Sequence, residues 1–247
     1  MDNEGDLRNF QTRVKKHLEE YRRDRLNISG NGIYYYRGKE HSCEHILPKE
    51  IEEVNILEKY RVDFFTSEYR QGMKLHKYFH HLNSSQAMCI NFFYPLIKDK
   101  MLDALLNLLG INGEIDYNPG CVCFEKESDI ENTGRRTNFD FYMQLDTGTK
   151  IYFEINYTEN EFGRAEDIRN LVHSDDSSYV VFVYPTDNKG IREGALAVKN
   201  KIIENGWEDH LVLLTWEDLI EQLKRRLGSL ELLDYYEKDF SHKYLCT

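Results

Sequence analysis

Two acids, Asp140 and Glu154, stand in the stretch TNFDFYMQLDTGTKIYFEINYTE at positions where a strand normally buries apolar groups. Between them DTGT reads as a turn in which Gly148 is free to take a positive φ. A two-residue loop would put the acids on opposite faces of the hairpin. A three-residue loop, Asp146-Thr147-Gly148 with Gly148 left-handed, sets Asp140 directly across from Glu154. Cross-strand partners hold their Cβ atoms about 4.5–5.5 Å apart, and two carboxylates that close repel unless a proton or cation lies between them. A hard divalent ion with oxygen ligands, Mg²⁺ or Mn²⁺, meets that need. Asn156, two residues past Glu154, projects from the same face, and Glu125 on the preceding strand offers a third acid. The plainer alternative is a solvated sheet face, with Phe139, Phe141, Phe153 and Ile155 forming the apolar side and the acids the polar one.

The elements that must position these residues follow from local pattern. Residues 7–25 read as a charged amphipathic helix, Ser29 to Pro48 as irregular, and the region from Ile51 to Leu57 as mostly helical. His76, His80 and His81 are expected on one helix with a solvated face. No glutamate lies between His76 and His80 in an HExxH arrangement, so a metalloprotease site is not indicated. In NSSQAMCINFFYPLIKDKMLDALLNLLG, Asn83 or Ser84 caps a helix, Pro95 kinks or restarts it, and Gly110 stops it. CVCFEKE, TNFDFYMQL and KIYFEINY are three strands; ENEFGRAEDIRNLV is a helix, SYVVFVYP a buried strand and IREGALAVKNKIIENG a helix. HLVLLTW is a strand, Thr215 caps the helix WEDLIEQLKRRL, and SLELLDYYEKDF is a last helical segment. The sum is a mixed α/β sheet with helices on its faces. The division expected is 1–82 as an N-terminal helical and irregular extension and 83–247 as the main domain.

Composition narrows the function. In 247 residues, 40% hydrophobic and 13% aromatic side chains suffice for a real core. The start MDNEGDLRNF lacks the basic and apolar regions of a signal peptide, and no apolar run reaches membrane length, so a soluble cytoplasmic protein is expected. Five cysteines fit free thiols in a reducing compartment. Neither Cys121 and Cys123 nor HSCEH makes a paired zinc signature. The net charge of −11 argues against a protein that coats nucleic acid, though not against an enzyme that holds a metal with acids and meets phosphates with local basic patches. No Gly-rich phosphate loop or nucleophile–base motif appears.

TNFD and FEINYTENEFG, following a helix that carries SSQAMCINFF, resemble the PD-(D/E)XK nuclease superfamily. They are most similar to a bacterial restriction-endonuclease-like family whose motifs run Ser-Ser-Gln, Thr-x-Phe-Asp and Glu-x-Lys-Tyr-x-Glu. The resemblance spans roughly Ser84 to Thr186. It implies an αβββαβ core and metal-dependent hydrolysis of phosphodiester bonds in DNA, of restriction or defence type. It makes Asp140 and Glu154 the ligands of Mg²⁺ or Mn²⁺, with the main-chain carbonyl of Ile155. Glu125 matches an upstream acid, and Gln86 and Glu159 match polar positions near the site; Gln86 has capping or packing as its alternative. Asn156 falls where the family has lysine. An asparagine orients water but adds no charge, so an active variant, a nuclease fold that binds without cutting, and a replaced lysine all stay open. A homodimer through the N-terminal region would suit double-strand cutting.

Overall fold

A computed structural model of the chain describes residues 3–71, 73–127, 138–159, 178–203 and 210–245. Its centre is a five-stranded sheet in the order β3-β4-β5-β6-β7: Val122–Glu127, Asn138–Gln144, Lys150–Ile155, Ser178–Tyr184 and Leu211–Thr215. The first three strands are antiparallel, and β6 and β7 add in parallel. This is the mixed α/β sheet that the strand pattern predicts. Past Glu159, the helix expected from ENEFGRAEDIRNLV lies outside the described residues.

Helix α4 (Ser85–Lys98) crosses β4 and β5 on one face. Its aromatic residues Phe92 and Phe93 join Phe124, Phe141 and Phe153 in the main core, where Phe93 and Phe141 stack at 3.9 Å between centroids. The same cluster takes in Phe10, Val14 and Leu18 of α1 (Asn3–Asp24) and, near the C-terminus, Trp216 and Phe240. The opposite face is apolar too. Phe139, Tyr142, Tyr152, Val180 and Phe182 pack there with Val198 of α6 (Lys189–Ile203). The expected solvated polar face is therefore corrected: burial on both sides is what strands near the middle of a mixed sheet require. Phe139 and Phe141, two apart, fall in different clusters, so the alternation of β4 breaks at Asp140.

Several local readings change with the structure. Ser29 to Pro48 is not irregular: Gly32–Tyr36 (β1) and Lys39–Cys43 (β2) form an antiparallel hairpin. Its turn is Arg37-Gly38, both at positive φ as a two-residue hairpin loop demands. Its side chains are mostly exposed, which erased the alternation that marks a half-buried strand. Short helices α2 (Glu58–Thr66) and α3 (Glu68–Gln71) follow, and then the segment of His76, His80 and His81 forms loop and turns instead of a helix. Buried amides claim its backbone: Asn55 Nδ2 donates to the carbonyls of Phe79 and His81 at 2.6 and 2.7 Å.

Pro95 does not restart α4, which continues through it to Lys98. Proline removes the N–H that would bond the Asn91 carbonyl, and Tyr235 Oη donates to that carbonyl instead at 2.6 Å. Ser84 is the N-cap, its Oγ accepting from Ala87 N, and Gly110 ends α5 (Asp103–Leu109) at φ 70°. Thr215 caps α7 (Trp216–Lys224), accepting from Asp218 N at 3.1 Å. The C-terminal segment runs through α8 (Leu230–Asp234), a π turn over Tyr235–Phe240 and α9 (Ser241–Tyr244).

Candidate active site

The β4–β5 hairpin closes as its sequence predicts. Gly148 stands at φ 85°, Gly148 N donates to Leu145 O, and Leu145 N donates to Thr149 O at 2.8 Å. The ladder then runs Gln144↔Lys150 to Phe141↔Phe153, a register whose next pair is Asp140 and Glu154. There the ladder stops, and the Asp140 carboxylate takes over the strand's role: its Oδ2 accepts from Ile155 N at 2.7 Å. On the other side, β3 pairs with β4 at Phe124↔Phe141 and Lys126↔Phe139 but skips Glu125, which lies at φ 54°. The sheet is thus open on both flanks of Asp140. A non-glycine residue held left-handed within a strand costs about 1–3 kcal/mol, and such strain gathers at functional sites.

That geometry gathers negative charge. Burial first, then Glu154 and Glu125 and more weakly Glu159, push the Asp140 carboxyl well above the usual carboxylate range, against the lowering effect of its Ile155 bond. The same three carboxylates, Asp140, Glu125 and Glu154, act on the fully buried thiol of Cys89 in α4, after burial itself. Cys89 Sγ lies 3.5 Å from the Asp140 carbonyl.

Each expected site residue can now be placed. Asp140, Glu154 and Glu125 are half-buried and come together at the break in the ladder. Both Glu125 oxygens are engaged: Oε1 accepts from Gln86 Nε2 at 2.8 Å, and Oε2 lies 3.2 Å from His76 Nε2. Gln86, in the first turn of α4 and 1% exposed, also donates to Lys74 O and accepts from His76 N. It therefore ties the loop between α3 and α4 to the acid cluster and does not cap its helix. Asn156 is 4% exposed at the end of β5; its N donates to Val183 O, and its carbonyl accepts from Trp216 Nε1 at 3.0 Å. Its side-chain Nδ2 has no hydrogen-bond partner among the described residues. Glu159 turns back to accept from Tyr157 N. His76 is the residue that sequence reasoning passed over, because its spacing from His80 suggested a helix face.

A set of three or more His, Cys, Asp and Glu side chains arranged around an ion is absent among the described residues. The oxygen donors offered are the carboxylates of Asp140 and Glu154 and the main chain beside them, a hard set suited to Mg²⁺ or Mn²⁺ and poor for softer ions.

The family model described as Restriction Endonuclease associating with ARP matches the chain over residues 15–171 and 168–245. The chain belongs to that family. Membership in this family makes a nuclease-like role the frame for the acid cluster at Asp140. No curated protein and no solved structure matches the chain. Among the described residues, no helix is long and apolar enough to cross a membrane.

Proposed function

We propose that this family member is a divalent-metal-dependent endonuclease of the PD-(D/E)XK type that hydrolyses phosphodiester bonds in DNA. One observation carries the reading. At the point where both ladders open, Asp140 is held by Ile155 N across from Glu154, so that two carboxylates share a gap in the sheet. Asp140 and Glu154 would hold Mg²⁺ or Mn²⁺, joined by the Ile155 carbonyl. A cation there supplies Lewis acidity toward the phosphate and lowers the pKa of water.

The chain's own residues do the rest. Asp140 spends one oxygen on Ile155 N, which fixes its carboxylate plane and leaves Oδ1 for the ion. Asn156 offers an amide that orients water without adding charge. Glu125, engaged by Gln86 and His76, orients its neighbours and is not a ligand.

Calorimetric titration with Mn²⁺ tests the site. Asp140→Ala and Glu154→Ala are each expected to abolish binding, since one remaining carboxylate holds a hard cation poorly. Plasmid DNA incubated with Mg²⁺ or Mn²⁺ tests the activity, and cleavage that survives in Asp140→Ala would place the chemistry elsewhere. A second reading, a nuclease fold that binds DNA without cutting, is favoured by the missing lysine charge at Asn156. Mn²⁺ and DNA binding without any cleavage would select it.

A further inference from the structure

His76 comes in on the loop between α3 and α4, and its imidazole reaches the acid cluster from outside the sheet. Its Nε2 lies 3.2 Å from Glu125 Oε2. Glu125 is held in turn by Gln86 Nε2 on its other oxygen, and the same Gln86 brackets the His76 backbone through His76 N and Lys74 O. The far end of the loop is fixed by Asn55 at Phe79 and His81. The strained backbone of Glu125, at φ 54°, sets its carboxylate in this chain of contacts.

A carboxylate accepts hydrogen bonds, so the pairing makes Nε2 the protonated nitrogen of the neutral ring and leaves a lone pair on Nδ1. The His76 side chain is 51% exposed, so water reaches the ring. A base oriented by a second group, itself oriented by a third, is the arrangement that activates a weak nucleophile.

We propose that His76 is the general base of the cleavage reaction, with Glu125 and Gln86 as its positioning residues; the inference rests on the nuclease reading above. Water gives a proton to His76 Nδ1 as its oxygen forms the bond to phosphorus. The bond from phosphorus to the leaving sugar oxygen breaks with its electron pair, and that oxygen takes a proton from solvent. The groups facing the imidazole agree with the role. The Glu125 hydrogen bond raises the His76 pKa, burial opposes it, and the charges of Glu125 and Asp140 add to the rise.

Three measurements on the full chain test this. Single-turnover cleavage of DNA by His76→Ala is expected to fall about 10²–10⁴-fold, the range of a general base, with partial recovery on adding imidazole. The rise of rate with pH should vanish in His76→Ala, and should move to lower pH in Glu125→Gln, where the carboxylate that favours imidazolium is gone. Nitrogen-15 spectra of the metal-free protein, taken where His76 is neutral, should show the proton on Nε2. A His76→Ala variant that cuts at the parent rate with the parent pH profile overturns the proposal while leaving the nuclease reading intact, provided Asp140→Ala is inactive. A proton on Nδ1 overturns it as well. A parent chain that cuts no DNA removes both.

Discussion

Asn156 is a buried amide two residues past Glu154, with a side-chain nitrogen that finds no partner among the described residues. A lysine in its place would enter the same site, where Asp140, Glu154 and Glu125 offset the cost of burying an ammonium. Asn156→Lys is therefore expected to fold and to raise single-turnover cleavage by about 10²–10³, the worth of a charge aimed at the transition state. Mn²⁺ affinity should fall slightly, because the added cation repels the metal, so the gain lies in the transition state alone. Asn, Lys and Ala at position 156 form the comparison. Equal rates for all three would show that position 156 takes no part in the chemistry.

Helix α4 carries both the core and the tie to the site, and it does so across a proline. Its free Asn91 carbonyl is met by Tyr235, 144 residues further along the chain, and the next carbonyl, that of Phe92, by Tyr236 at 2.6 Å. Both hydroxyls are buried. Tyr235→Phe removes one donor and leaves a buried carbonyl unpaired, which costs about 1–3 kcal/mol. Urea unfolding of the variant measures it. A loss below a few tenths of a kcal/mol would mean that the Asn91 carbonyl finds another donor. The same helix shows why Pro95 misleads when read alone: what proline takes from a helix, a distant hydroxyl returns.

For the molecule as a whole, acid sensitivity follows from histidines packed where α1, the β1–β2 hairpin and the loop before α4 meet. His80 and His81 have ring centroids 4.6 Å apart. Burial, with Lys15 and Arg22, pushes His45 down to about 4. Burial, with His80 and His45, pushes His81 down to about 3. Glu19 lies 3.8 Å from His45 Nδ1, too far for a hydrogen bond that would keep the ring charged. Both folded values lie below the ordinary 6.5, so the unfolded chain binds more protons and stability falls as pH drops from about 6.5 toward 4. For His45, which is 8% exposed, the loss is on the order of 2–3 kcal/mol. Asp140, raised in the fold, acts with the opposite sign, so the informative quantity is the parent chain minus His45→Gln across that window. Parallel curves in denaturant would show that His45 is not the cause.

What the sequence determined by itself was whatever its residues settle within a few positions of one another. The loop Asp146-Thr147-Gly148 and hence the register of Asp140 with Glu154, the caps at Ser84 and Thr215, and the strand patterns all belong here. A turn or a cap satisfies its own backbone groups locally, so its residue types suffice to specify it. The β1–β2 hairpin was not legible, because its exposed strands carried no burial pattern. Only the tertiary structure decided that α4 runs through Pro95, that His76 sits on a loop, and that Glu125 bends left-handed between Gln86 and His76. In each of these a buried polar atom takes its partner from a distant part of the chain, and which atoms lie within 3 Å of each other is set by packing.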